Sequence, residues 1–206
     1  MNQITLSENV MVSDPCYSLD TWCQTKLSNV LPGKYNVDVD KSDLGDWGVR
    51  VSSITVVHED YVDDGDWEQH SECGVDSGQC GIFCMTGYRN DELSKSITTP
   101  TLDNPFVLPY NDKGGDMWYE KMCHFTLCEP QWGLYDTGVV SSSGIGDGQY
   151  PLDVMMDGDK IVGMRLEYLG NSDEDLLDEG DCCGVCGGEL ESDGECVYCC
   201  EEKTED

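Results

Sequence analysis

The chain has 206 residues and a formal net charge of −31, with 42 Asp/Glu against 11 Lys/Arg. Such a charge repels nucleic acid and anionic membrane, which are both polyanions, and favours cations or partners with basic surfaces. No apolar run approaches the length that spans a bilayer. The opening MNQITLSENVMVSDPCY lacks the basic and apolar regions of a signal peptide, so a cytoplasmic protein is expected.

In chain order, ITLSENVMVSDPCYSL alternates and predicts a short hairpin ending at Asp14-Pro15. DTWCQTKLSNVL follows, with Asp20 placed as an N-cap and Trp22, Leu27 and Val30 on one helical face, which predicts a short helix stopped by Pro32-Gly33. KYNVDVDKSD alternates strictly, Tyr35, Val37 and Val39 against Asn36, Asp38 and Asp40, as a half-buried strand does. VRVSSITVVHEDY predicts one or two further strands, residues 62–75 an acidic loop, and SGQCGIFCMTGY another strand.

The stretch from Asn90 to Gly115, with Pro100, Pro105 and Pro109, reads as a long surface excursion, and DMWYEKMCHFTL fits a helix and a strand equally. Val139-Val140, Tyr150 to Met156 and Ile161 to Leu169 read as three strands, the last two joined by the tight-turn sequence Asp157-Gly158-Asp159. The expected fold is α+β and mainly antiparallel β, a sandwich or curved sheet with one or two short helices. It occupies residues 1–169, followed by an acidic linker at 170–181 and a cysteine module at 182–206.

That module holds six of the thirteen cysteines. Cys183-x-x-Cys186 and Cys196-x-x-Cys199 have the spacing of a zinc-ribbon-like knuckle pair, and four thiolates close the shell of one structural Zn2+. Iron fits the same cage. Cys182 and Cys200 flank the knuckles, and the x2 register is favoured over Cys182-x3-Cys186. So short a module needs metal to fold. Residues 170–206 hold fourteen Asp/Glu against one Lys, so the module points at a protein rather than at nucleic acid.

Other constellations are weaker. His70-x2-Cys73 with Cys80-x3-Cys84 has irregular metal spacing, and His58 and His124 fit satisfied core histidines. Cys16 in SDPCY has no base beside it in sequence, and Asp14 capping a turn explains the stretch. SSSGIGDGQYP lacks the Lys of a phosphate loop. Asp38, Asp40, Ser42 and Asp43 lack the helix–loop–helix context and terminal Glu of a calcium loop.

Ser143, Gly144, Gly146, Asp147, Gly148, Tyr150 and Pro151, followed by a strand, an Asp-Gly turn and a strand, resemble the Ser-Gly-x-Gly-Asp-Gly-x-Tyr-Pro signature of domain of unknown function 4241. VSDPCY, LPGKYNVDV and DSGQCGIF resemble segments of related phage-encoded proteins. The resemblance spans most of residues 1–169. It implies a β-rich domain and a phage origin, hence the host cytoplasm, and brings no catalytic residue. Three functional expectations follow. The first is a non-enzymatic, inhibitor-type protein that engages a basic protein surface by polyanion mimicry. The second is a hydrolase or small-molecule-binding enzyme gathering Asp14, Cys16 and Tyr17 with Ser143, Asp147 and Tyr150. The third is a component of a larger phage assembly.

Overall fold

The computed structural model describes residues 2–100 and 115–170. The strands are β1 (Gln3–Leu6), β2 (Val10–Ser13), β3 (Thr25–Leu27), β4 (Gly33–Asp43), β5 (Val49–His58), β6 (Glu68–Val75), β7 (Gln79–Cys84), β8 (Trp132–Tyr135), β9 (Gly138–Ser142), β10 (Gly148–Asp157) and β11 (Lys160–Glu167). Among the described residues two α-helices, α1 (Asp91–Ser94) and α2 (Asp116–Leu127), and a short 3-10 turn (Gly45–Trp47) interrupt them. The strands form two antiparallel sheets, ordered β1-β4-β5-β11-β10-β6 and β3-β2-β7-β9-β8.

The sheets face each other across one core. Ile4, Leu6, Tyr35, Val37, Ile54, Val56, Leu152, Val154, Met164 and Leu166 from the first sheet meet Val10, Val12, Ile82 and Val139 from the second. Each side chain of this size contributes about 1.5–3 kcal/mol when taken from water. The core's two margins are closed by hydrogen bonds, Thr5 N–H to the Asp136 carbonyl (2.7 Å) on one side and Thr25 Oγ1 with Ser71 Oγ (3.0 Å) on the other.

The period of two explains the third layer. Residues alternating with the core set, Met11, Phe83 and Val140, emerge on the far side of the five-stranded sheet and pack under Trp118, Met122 and Phe125 of α2. This covering settles the ambiguous stretch 116–127 as a helix. Asp91 caps it from 24 residues away, accepting from the Gly115 and Trp118 N–H groups (2.8 and 3.0 Å). Gly133 of β8 is required beneath it, because a Cβ there would lie 2.0 Å from the Phe125 ring. On the opposite side of the molecule, Tyr61 and Trp67 from the acidic β5–β6 connection cover Val57, Met155 and Val162.

Several expectations hold. β4 buries Tyr35 and Val37 and exposes Asp38 and Asp40. β10 and β11 are joined by a two-residue turn in which Gly158 takes φ +61°.

Others are corrected. The predicted hairpin at residues 1–20 is two strands in different sheets, β1 pairing with β4, and β2 with β3 and β7, because both strands point their apolar side chains into the shared core. The helix predicted at 20–31 is replaced by turns and β3. Asp20 and Asn29 adopt φ of +70° and +68°, which a right-handed helix forbids, and Trp22 buries no face. The predicted loop at 62–75 ends early, since residues 68–75 form edge strand β6, whose solvent-facing half hides the alternation. α1 lies inside the predicted surface excursion, where Ser94 and Ile97 are buried, and β8 had no expectation.

Trp118 is the largest fully buried side chain. It lies edge-on to Phe83 and Tyr88 and donates to the Tyr135 hydroxyl (3.2 Å). Trp118→Ala is expected to cost about 3–5 kcal/mol in urea unfolding, through the cavity it leaves. Val62→Ala, at a side chain 81% exposed, is expected to change stability by no more than about 0.5 kcal/mol.

Candidate functional site

Three connections meet at one end of the sandwich: residues 14–24 between β2 and β3, 76–78 between β6 and β7, and 143–147 between β9 and β10. They are held together by the carboxylate of Asp14, whose residue is 0% exposed. Its Oδ1 accepts from the Cys16 N–H and the Ser77 hydroxyl (both 2.7 Å), and its Oδ2 accepts from the Asp76 N–H (2.9 Å) and the Ser77 N–H (2.7 Å). Asp147 repeats the device at the surface, accepting from the Gly78 N–H (3.0 Å), while the Gly78 carbonyl accepts from the Ser143 N–H (3.0 Å).

The Asp14 and Ser143 segments therefore do come together, through residues 76–78. Their chemistry is consumed in doing so. The Ser143 hydroxyl donates to the Gly146 carbonyl (2.8 Å), and the Tyr150 hydroxyl donates to the Gly146 and Ser143 carbonyls (2.7 and 3.1 Å). The Ser-Gly-x-Gly-Asp-Gly-x-Tyr-Pro stretch thus builds a self-bonded turn, with Gly144 and Gly146 at φ +53° and +129°. The Cys16 thiol is pushed well above the ordinary thiol range by burial first and then by the Asp14 carboxylate beside it. A protonated thiol and a carboxylate committed to four donors supply neither nucleophile nor base.

The loop 14–24 is pinned on its inner side as well. Arg89 donates to the Pro15 and Cys16 carbonyls (2.8 and 3.1 Å) and pairs with Asp116 at 3.5 Å. The Tyr88 hydroxyl donates to the Tyr17 carbonyl (2.8 Å) and accepts from Gln24 (2.9 Å). Cys23 is buried against Gly74, whose N–H donates to the Cys23 carbonyl (3.2 Å). Between these loops opens a cleft of about 310 Å³ lined by Tyr17, Trp22, Asp76, Asp147 and Gln149, among others. Trp22 stands at its wall, 85% exposed. The Tyr17 phenol is pushed upward by burial, then by Cys23 and Asp76.

Sequence reasoning reached Asp14, Tyr17 and Asp147 but missed Trp22, Asp76, Ser77 and Arg89. The Asp-Ser-Gly of residues 76–78 was a turn signal that went unused. Arg89 and Ser77 meet their partners across more than sixty residues, which no local pattern reveals.

The remaining candidates are dispersed. His70 is exposed, Cys73 and Cys80 face each other in the core with sulfurs 3.4 Å apart, and Cys84 lies elsewhere. Among the described residues no three His, Cys, Asp or Glu side chains are placed to hold a metal ion. The Cys84 sulfur contacts the Ser7 and Thr86 hydroxyls at 3.0 and 3.3 Å. Burial raises this thiol, but those hydroxyls and the backbone N–H groups of the same two residues outweigh it, and the thiol falls below its ordinary range. His58 is buried in the core and accepts the Asp60 N–H at 3.3 Å, as expected. His124 keeps a buried Nδ1 without a partner among the described residues. Asp38, Asp40, Ser42 and Asp43 lie along β4 and form no cation cage. Cys183, Cys186, Cys196 and Cys199 lie outside the described residues.

No protein-family model, curated protein or solved structure matches this chain. Among the described residues, no helix is long and apolar enough to cross a membrane.

Two outcomes test the geometry. Asp14→Asn replaces an acceptor with a donor against backbone N–H groups, and is expected to lower unfolding free energy by about 3 kcal/mol, because bonds to a charged acceptor are worth about 1.5–3 kcal/mol each. A loss below about 1 kcal/mol in urea titration would contradict the network. Because its thiol is raised, Cys16 holds little thiolate at pH 8. Iodoacetamide should therefore alkylate it at least about tenfold more slowly in the native protein than in urea, as read by peptide mass mapping.

Proposed function

We propose that the protein is a non-enzymatic, acidic binding protein that engages a basic protein surface, presenting carboxylates where that partner expects a polyanion. One observation carries this reading. On the outer face of the six-stranded sheet, Asp38 and Asp40 project from β4, exposed and without a Lys or Arg partner among the described residues. Two residues apart on one strand, they repeat about every 6.6–6.8 Å. Across the sheet the register continues through Ser53 to Glu167 and through Thr55 to the Arg165–Asp153 pair. The β5–β6 connection, which starts at the Tyr35 end of the same strand pair, adds Glu59, Asp60, Asp63, Asp64 and Asp66, all exposed.

A rigid strand holds these acids at fixed spacing, so a partner binds them without first ordering them. Such contact is fast and salt-sensitive. The hydrolase alternative loses support from the bonding of Asp14, Cys16, Ser143 and Tyr150, which satisfies backbone groups. The proposal extends to a phage setting, from the resemblance at Ser143–Pro151, and to one structural Zn2+ held by Cys183, Cys186, Cys196 and Cys199.

Capture of basic proteins from a host lysate by the full chain is expected to fall steeply as salt rises past about 0.15 M, where the screening length is about 8 Å. Asp38→Asn/Asp40→Asn is expected to weaken capture at low salt, the difference from the parent shrinking as salt rises. Capture indifferent to salt would sink the mimicry. Elemental analysis of the reduced, purified chain is expected to find about one zinc per chain, and substantially less metal would remove the zinc from the proposal.

A further inference from the structure

We propose that the cleft at the loop end of the sandwich is the place where an arginine side chain of the basic partner is gripped, its guanidinium stacked on Trp22 and bonded to Asp76 and Asp147. This rests on the reading of the protein as a binder of basic surfaces, and it names a second, more specific contact than the open sheet face.

The walls of the cleft are set in advance. Trp22 is 85% exposed although its neighbour Cys23 is buried against Gly74. The Thr21 N–H donates to Gln24 Oε1 (3.1 Å), and the Thr21 hydroxyl donates to the Ser18 carbonyl (2.8 Å). The loop is therefore bonded on both sides of an indole that touches solvent. The backbone of Asp76 is held by its N–H to Asp14, the Asp147 carboxylate is held by the Gly78 N–H, and both residues line the cleft. Large aromatic rings held in water next to polar groups are the residues that carry interface energy.

The chemistry of the occupant follows from the lining. Two carboxylates repel an anion and would themselves be left desolvated and unpaired by an apolar occupant, while an indole face attracts a cation. About 310 Å³ is at the small end of ligand sites, enough for one long side chain. Guanidinium suits it better than ammonium, because its plane stacks on the ring while its edge meets carboxylates. The chain itself contains that arrangement. Arg165 lies over the Trp67 ring at 4.9 Å and donates to Asp153 at 2.6 Å, a tryptophan, an aspartate and an arginine closed on one another. At the loop end the tryptophan and aspartates are present, and the arginine is what a partner brings.

The test is calorimetric titration of the full chain with a short arginine-rich peptide and its lysine counterpart of equal length, at fixed salt. The arginine peptide is expected to bind more tightly. Trp22→Ala is expected to weaken it about tenfold, a loss of about 1.4 kcal/mol, within the range of desolvated cation–π contacts, with Trp22→Phe intermediate. Asp76→Asn/Asp147→Asn is expected to weaken it more than the charge-matched Asp38→Asn/Asp40→Asn. An unchanged Kd in Trp22→Ala, equal effects of the two double variants, or a lysine peptide bound as tightly as the arginine one would overturn the arginine site. The sheet-face reading would survive in those cases, provided binding still fell with salt. Absence of salt-sensitive binding to either peptide would overturn both. Thermal unfolding of each variant confirms that the loss is in binding, since Trp22 contributes little buried surface.

Discussion

A carboxylate with no access to water holds the loop end of this protein together. Burying an isolated charge costs several kcal/mol, and Asp14 offsets that cost by accepting from four donors, three of them on the loop after β6. β2 belongs to the five-stranded sheet and β6 to the six-stranded one, so the bonds tie the two sheets together at the loop end. Residues 143–147 then dock on Gly78, and the position of Trp22 depends on the same anchor. Asp14, which the enzyme alternative would place in a pocket, is the keystone of a structural joint, and the loop-end surface stands on what it supports.

The readable parts of the fold are those with one wet face. β4 alternates because Tyr35 and Val37 meet the core while Asp38 and Asp40 meet water, and β10–β11 announces itself through its Gly158 turn. β7, buried at every position between the core and α2, shows a bare apolar run whose partners stay invisible. The departure at residues 20–31 has a physical origin: Trp22, Leu27 and Val30 have the spacing of a buried helical face, yet Leu27 and Val30 enter the core from β3 and the turn after it while Trp22 is exposed. At the site, the turn role of Asp14 was legible from Asp-Pro alone. Its partners Asp76 and Ser77 were not, because they arrive from another sheet.

Charge is distributed unevenly over this scaffold. On the outer sheet face Arg165 is paired with Asp153 and lies over the Trp67 ring. The acids left over lie along β4 and in the β5–β6 connection, on backbone that the core and the Tyr61–Trp67 lid hold still. A high net charge on a flexible chain gives solubility; the same charge on fixed strands also gives direction.

The edges of the two sheets carry a further consequence. β6, the longest edge strand among the described residues, is lined by Glu68, Gln69, His70 and Glu72 and bonded to residues 23–25 near its end, while β1, β3 and β8 at the other margins run only four, three and four residues. Short or charged borders deny an incoming strand a ladder to extend, and like-charged copies of the chain are turned away at the same places. Among the described residues, the two sheets are thus bordered by strands that are short or charged, the features by which β-proteins limit edge-to-edge pairing.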